Sequence, residues 1–393
     1  MAWLQVCGLV LVALGVLAAF ITTVATRLVL RAPSPPEPKE WPPVSILKPL
    51  KGVDPGLEEN LESFLALDYP NYEIILGTAE ADDPAFAIAL KIANKAQVRV
   101  EALADPTMIG CNPKVNNLAN LHPKAHHELI LISDSNVRVR PDYLKNLVAH
   151  REQAGGGLAW SVFRGIGWKG FFGGLEALQV NGMVLGGMCG IHKFLRLPCA
   201  LGKSMLLGKK DLEAIGGWSA LADYLAEDQV IAEEVKKTGA PVVLANAAVD
   251  NVLGARTLAG FAGRHLRWCR LRRHLNLAAY LGEFFVNPVF LSLVLLALVR
   301  TPRVALLSGL TLLSVSILDF FGERFLGVRR SVLAYPVAEL AFSILRGVLW
   351  FVPFFSNVVV WRGNRLHLGK RSRITLETPL YIRELDRESI LKP

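Results

Sequence analysis

Hydrophobic positions along the chain fall into three regions of different periodicity. Met1 to Thr26 contains no charged residue, and Arg27 and Arg31 follow directly. That run is long enough to cross a hydrocarbon core as one helix. From about residue 44 to 251, short apolar runs alternate with amphipathic stretches. From Ala278 to Trp361 apolar residues dominate again.

In the middle region Val44-Ser45-Ile46-Leu47, Glu73-Ile74-Ile75-Leu76, Val98-Arg99-Val100 and Leu129-Ile130-Leu131-Ile132 read as strands. Residues 57–66, 84–95 and 113–121 between them have helical spacing of apolar positions. Strand and helix in alternation predict a mostly parallel sheet covered by helices. Ligands of such sheets bind beyond the carboxyl ends of the strands. Two acidic positions lie there, in Asp82-Asp83-Pro84 and Ser133-Asp134-Ser135-Asn136. A carboxylate at a strand end also serves as a helix cap or turn residue, so each alone is open to both readings.

The predicted organisation is a transmembrane anchor over 1–30, a proline-rich spacer over 31–43, an α/β domain over 44–255, a basic interfacial helix over 256–277, membrane segments over 278–361 and a basic tail over 362–393. No basic region precedes the first apolar run, which favours an uncleaved anchor over a signal peptide. Positive charge after that helix places the domain in the cytosol. Residues 278–299 and 304–321 each read as a spanning helix. The stretch 331–361 is too long for one span and contains Pro353. A hairpin or re-entrant pair there would return the tail, with its Arg362, Arg365, Lys370, Arg371 and Arg373, to the cytosol. Glu339 and Arg346 lie seven apart on one face of that block, as an interhelical pair or as part of a polar path.

Composition adds a net charge of +9 over 393 residues. Many of the Arg and Lys flank the apolar blocks, which points to a membrane surface. No nucleic-acid-binding motif accompanies the charge, so nucleic acid is not an expected partner. Five cysteines without a C-x-x-C pair fit neither a disulfide framework nor a structural zinc site.

Three further clusters carry candidate chemistry. Asn112-Pro113-Lys114-Val115-Asn116-Asn117 opens a helix with a lysine, an arrangement suited to a diphosphate or simply a capped helix. Glu227 and Asp228 begin another helix, where one could act as a general base or both could favour the positive helix end. Arg264, Arg267 and Arg270 form a basic face beside Phe261, Leu266 and Trp268, which by physics alone is an interfacial helix. Gly202-Lys203-Ser204 looks like the end of a phosphate loop, but Leu197 stands where that motif needs glycine, which excludes an ATPase reading.

The order of these elements resembles the ceramide glucosyltransferase family, inverting enzymes with a GT-A nucleotide-sugar fold. The resemblance spans nearly the whole chain and rests on Gly52-Val53-Asp54-Pro55, Leu67-Asp68-Tyr69-Pro70, Asp82-Asp83-Pro84-Ala85, Asn112 to Leu118 and Ala226-Glu227-Asp228. That family's three aspartates followed by (Q/R)-x-x-R-W fall here on Asp83, Asp134, Asp228 and Arg264-His265-Leu266-Arg267-Trp268. The resemblance implies that Asp83 binds the nucleotide, that Asp134 holds the donor diphosphate, and that Arg264, Arg267 and Trp268 close over the diphosphate or the acceptor; Lys114 joins the donor-binding candidates from its place at a helix head. The resemblance also implies a divalent metal, Mg²⁺ or Mn²⁺, on Asp134, and Asp228 as the base. Many GT-A enzymes carry Asp-x-Asp at the metal, whereas Asn136 stands at the second position here. A Cys-x-x-Gly-x-Ser stretch from Cys199 is also similar to the family. The implied reaction moves a hexose, glucose from UDP-glucose, onto the hydroxyl of a membrane lipid such as ceramide. Hopanoid, diacylglycerol and polyprenyl acceptors keep the same chemistry. A processive polysaccharide synthase would need a channel, for which the apolar blocks are too few. A non-enzymatic scaffold leaves the aspartates and the arginine–tryptophan motif without a purpose.

Overall fold

The computed structural model describes residues 2–361 and 364–376; positions 362–363 and 377–393 of the expected basic tail lie outside them. The middle region builds strands β1 (Val44–Pro49), β2 (Tyr72–Thr78), β3 (Arg99–Ala104), β4 (Leu129–Ile132), β5 (Val137–Arg138), β6 (Leu158–Trp160), β7 (Phe163–Lys169), β8 (Met205–Gly208), β9 (Val242–Leu244) and β10 (Val249–Ala255). Seven of them form one sheet in the order β3-β2-β1-β4-β8-β6-β9. The pairs β1–β2, β2–β3, β1–β4 and β6–β9 are parallel, and β8 runs antiparallel to β4 and β6. A smaller sheet, β5-β10-β7, lies beside it.

Alternation along the strands divides the core between the two faces of the sheet. Ile46, Ile74 and Leu131 pack on one face with Leu57, Leu61 and Phe64. Leu47, Ile75 and Ile130 pack on the other with Val115, Leu118 and Trp160. Helix starts follow the local chemistry. Asp83 accepts from Ala85 N at the head of Pro84–Lys95, and Asn112 from Lys114 N and Val115 N at the head of Pro113–Leu121, each helix with proline in its first turn.

Among the described residues three helices are long and apolar enough to cross a membrane: Gln5–Leu30, Pro302–Phe325 and Ala334–Phe354. The expected single helix over 278–299 is instead a pair, Leu277–Phe285 and Pro288–Val299, bent by 61°. Asn287 causes the break: its side chain caps Phe290 N and proline follows at the first helical position. The expected hairpin over 331–361 is also corrected. That stretch is one helix, Ala334–Leu349, then a short 3₁₀ turn, Val352–Phe354, and a strand, β11 (Val358–Trp361). With β12 (Asn364–Leu368) and β13 (Ile374–Leu376) it forms an antiparallel sheet.

That terminal sheet is attached to the α/β domain. Leu225 N donates to Ser372 O at 2.9 Å, Ile374 N to Asp223 O at 2.7 Å, and Arg371 pairs with Glu233 and Glu234 at 2.9 and 2.7 Å. The described part of the tail therefore packs against the domain.

Candidate functional site

The carboxyl end of β4 delivers Asp134 into a cluster of buried charges. The Lys114 ammonium, on the first turn of Pro113–Leu121, lies 2.9 Å from Asp134 Oδ1 and 2.8 Å from Glu227 Oε1, and donates to Gly202 O at 3.2 Å. A second lysine, Lys203, pairs with Asp134 Oδ2 at 3.0 Å and donates to Asn136 Oδ1 at 2.6 Å. Burial opposes ionisation of Asp134, but the two ammonium groups outweigh it and hold the carboxyl well below the usual range. Burial likewise opposes the charge on Lys114, yet Asp134, Glu227 and Asp228 hold it above the ordinary lysine value. Lys203 is held lower, by burial and by Arg264 and Lys114 nearby.

Asp228 stands beside this cluster at the head of helix Glu227–Lys237. Its Oδ2 accepts from Gly202 N and its Oδ1 from Gln229 N, each at 2.8 Å. Burial, reinforced by the neighbouring Glu227 charge, pushes its carboxyl up to about 6. Lys114 and the two backbone N–H groups act against that rise.

Glycine at 202 lets the chain pass between these groups. A Cβ there would stand 2.6 Å from Lys114 Nζ and 3.3 Å from Asp228 Oδ2. Gly202→Ala is expected to fold, because the lysine end can swing away, and to lose at least about tenfold in turnover through misplacement of the two groups. Normal turnover in a folded variant would show that their spacing is not critical.

The helix Leu258–Leu275 follows β10 and is capped by Thr257 Oγ1. It is not purely interfacial. Phe261, His265 and Cys269 are buried, and Arg264 pairs with Glu176 Oε1 at 2.9 Å while lying 5.0 Å over the Trp268 ring. Glu176 is 1 % exposed and also pairs with Arg256 at 2.6 Å, so a single buried carboxylate anchors both guanidinium groups.

These elements surround one cavity of about 1060 Å³. Lys114, Asp134, Asp228, Arg264, Arg267 and Trp268 all line it. Asp83 is not among its lining residues; its two oxygens accept from Gly52 N at 2.9 and 3.0 Å, and one also from Ala85 N. Cys199 lines the wall, buried, with its thiol pushed up to about 12 by burial, which makes it packing rather than a nucleophile. The cavity continues past Cys199 to Thr22 and Thr26 of the first helix and to Val315, Leu318 and Phe342 of the apolar C-terminal helices.

Sequence reasoning missed two lysines. Lys48 on β1 is fully buried and donates to Ser133 Oγ at 3.2 Å and Asp134 O at 3.0 Å, its ammonium 3.6 Å from the Phe64 ring centre. It props the strand end that carries Asp134. Lys203 enters from the segment before β8, outside the strand–loop–helix context of a phosphate loop. An interior lysine in an otherwise apolar strand, as in Ser45-Ile46-Leu47-Lys48, was the available signal for the first. Lys203 had only the rejected motif.

Among the described residues no group of three or more His, Cys, Asp or Glu could hold a metal. Asp134 lines the cavity as a hard oxygen donor, but both its oxygens pair with Lys114 and Lys203, and Lys203 also holds Asn136 Oδ1; Mg²⁺ or Mn²⁺ would therefore take Asp134 by displacing an ammonium group, with a diphosphate and water supplying the remaining ligands.

A family model described as glycosyl transferase family 21 matches residues 9–374. Ceramide glucosyltransferase 1 of Caenorhabditis elegans is 28 % identical over 237 residues, 59 % of this chain and 50 % of the relative. Ceramide glucosyltransferase 3 of the same organism is 26 % identical over 360 residues, 85 % of this chain and 74 % of the relative. The match thus spans half the length of the first relative and about three quarters of the second. Among solved structures, the mannosyltransferase PcManGT of Pyrobaculum calidifontis, in complex with GDP-Man and Mn²⁺, superposes with a TM-score of 0.51 at 16 % identity, covering 88 % of this chain and 98 % of that one. At that identity the likeness is one of fold, and it identifies the domain as GT-A. With the family match extending from the first apolar helix into the terminal sheet, the chain belongs to glycosyl transferase family 21.

Proposed function

We propose that this protein transfers a hexose from a UDP-sugar, glucose from UDP-glucose, to the hydroxyl of a membrane lipid such as ceramide, with inversion at the anomeric carbon. The observation that carries this reading is the single cavity that joins Lys114, Asp134 and Asp228 to the apolar helices at both ends of the chain. A water-soluble donor and a bilayer-resident acceptor can meet in such a space. The names of the relatives supply the sugar and the lipid.

In this reading the donor diphosphate lies among Lys114, Lys203, Arg264 and Arg267, whose charges oppose the negative charge that grows as the nucleotide leaves. Trp268 stacks under Arg264 and helps fix its plane. Asp83, whose oxygens hold Gly52 N, contributes by shaping the Lys51–Gly52 turn at the end of β1. Asp228 takes the proton of the lipid hydroxyl while the oxygen attacks the anomeric carbon and the bond to the diphosphate breaks. Attack opposite the leaving group gives a β-linked product. Asp134 would hold Mg²⁺ or Mn²⁺ on the diphosphate, and the cation's contribution is further neutralisation of the leaving group. The domain faces the cytosol, the side on which Arg27 and Arg31 follow the first helix.

A base near 6 has a pH signature. Its carboxylate form is required, so kcat/KM should fall as pH drops through about 6 and be flat above it. A rate that is unchanged down to pH 4.5 would exclude Asp228 as the base. The metal assignment is tested separately. Asp134→Ala should raise the donor Kd at least tenfold in Mn²⁺ and flatten the metal titration; an unchanged titration would move the cation to other ligands.

A further inference from the structure

A second, smaller cavity of about 280 Å³ lies outside the transfer site, where the first apolar helix and the helix Pro302–Phe325 both end against the α/β domain. Arg31, Arg138, Arg140 and Arg164 line it, with Asp142 and Asp250 as the carboxylates among its lining residues. Phe325 and Leu326 form the wall it shares with the larger cavity. The two helix ends are joined there: Arg27 donates to Phe321 O at 3.2 Å, and the Arg31 guanidinium lies 5.0 Å from the Phe325 ring centre. Asn246 Nδ2 donates to Ala32 O at 2.6 Å and holds the chain that leaves the first helix against the domain.

The four guanidinium groups fall into two pairs. Arg164 is fixed by Asp250 and by the carbonyl of Leu326, and Arg138 by Asn60 Oδ1 at 3.1 Å. Glu59 reaches Arg138 only at 3.9 Å, from an exposed position. Arg31 and Arg140 are themselves exposed. Arg140 has Asp142 at 3.4 Å, both largely in solvent, and no carboxylate pairs with Arg31 among the described residues. Four guanidinium groups against two carboxylates leave the cavity positive, and each guanidinium presents paired N–H donors that match phosphate oxygens. Both helices are candidate membrane spans, so their ends set the cavity at headgroup depth, where arginines meet lipid phosphate. Just before those ends Leu28 and Phe321 expose apolar side chains along which acyl chains can lie.

We propose that this cavity binds the phosphodiester headgroup of an anionic membrane lipid, with Arg138 and Arg164 as its preset base and Arg31 and Arg140 closing on it from solvent. That lipid is bound and not glycosylated, since Lys114 and Asp228 line only the larger cavity. A choline head would bring its quaternary ammonium against the arginines, so a lipid of net negative charge is preferred over a zwitterionic one. Inorganic phosphate shares the anion but lacks the chains that Leu28 and Phe321 accept. A lipid seated there ties the first helix, the helix Pro302–Phe325 and the domain together, and its binding is therefore read as added thermal stability.

The test takes the full-length protein in a neutral detergent, without sugar donor, and offers phosphatidylglycerol and phosphatidylcholine of equal chain length. Bound lipid is counted by native mass spectrometry and stability is read as Tm. Wild type should retain phosphatidylglycerol at least about tenfold over phosphatidylcholine and gain Tm with it. An arginine at the headgroups contributes about fivefold in affinity for anionic lipid, so Arg31→Gln combined with Arg140→Gln should cut the preference to about twofold or less. The same double variant should lose the Tm gain while keeping the wild-type Tm in plain detergent. An identical charge change at the opposite end of the helix, Arg300→Gln with Arg303→Gln, should leave the preference intact. Equal retention of the two lipids, a preference undiminished in the first double variant, or an equal loss in the second would overturn the site. A Tm gain of the same size from inorganic phosphate alone would overturn the lipid as its ligand.

Discussion

Asp228→Asn is expected to lower transfer by about three orders of magnitude while leaving the donor Kd within about threefold of wild type, within the range usual for removal of a general base. The carboxylate touches two backbone N–H groups, of Gly202 and Gln229, and no described cation pairs with it at ion-pair distance. An amide of the same shape keeps one of those contacts and loses the basic oxygen. Folding and diphosphate binding, which depend on the lysines, should survive. Loss of donor affinity in this variant would move Asp228 from base to binding group. Residual transfer with a retained acid limb near pH 6 would move the base to another group, and Glu227, one residue earlier, is the first to test.

Lys114→Met should have the next largest effect, in two separable parts. The ammonium bridges Asp134 and Glu227 at 2.9 and 2.8 Å; its removal leaves the buried Glu227 carboxylate without a cation among the described residues, while Asp134 keeps Lys203 at 3.0 Å. Breaking such a pair costs about 3–5 kcal/mol, to be read as a lowered Tm. The second part is a shift in the pH profile. Lys114 is a charge that lowers the Asp228 carboxyl, against burial and Glu227, which raise it. Without Lys114 the carboxyl rises further, so the acid limb should move above about 6 and activity should require more alkaline solution. A destabilised variant whose acid limb and donor Kd both stay in place would confine Lys114 to a structural role.

The parallel half of the sheet was legible because its strands are short apolar runs ended by polar turns, and the intervening helices begin at capping residues. Leu129–Ile132 and Pro84–Lys95 are predicted to the residue. The candidate cluster was legible as separate pieces at strand and helix ends. Its wiring was not, because Lys48, Lys114, Lys203 and Asp134 come from segments up to 155 positions apart in numbering, Lys48 to Lys203, and periodicity says nothing of contacts across a sheet. The break at Asn287-Pro288 carried a readable turn signal that the apolar surroundings overrode. The stretch 331–361 looked too long for one span because β11 is as apolar as a membrane helix: Val358-Val359-Val360-Trp361 pairs with β12 instead. The arginine face of Leu258–Leu275 read as interfacial, since only the buried Glu176, some 88 positions before Arg264, reveals that part of it turns inward.

The central claim is that one cavity brings a nucleotide-sugar and a membrane lipid together at Asp228. It is tested most directly by incubating the detergent-solubilised protein with UDP-glucose, Mn²⁺ and ceramide, with mass spectrometry of the lipid fraction. The account predicts a β-linked hexosyl lipid formed by wild type and absent with Asp228→Asn. Release of free glucose and UDP with no glycosylated lipid, across all acceptors tried, would contradict it.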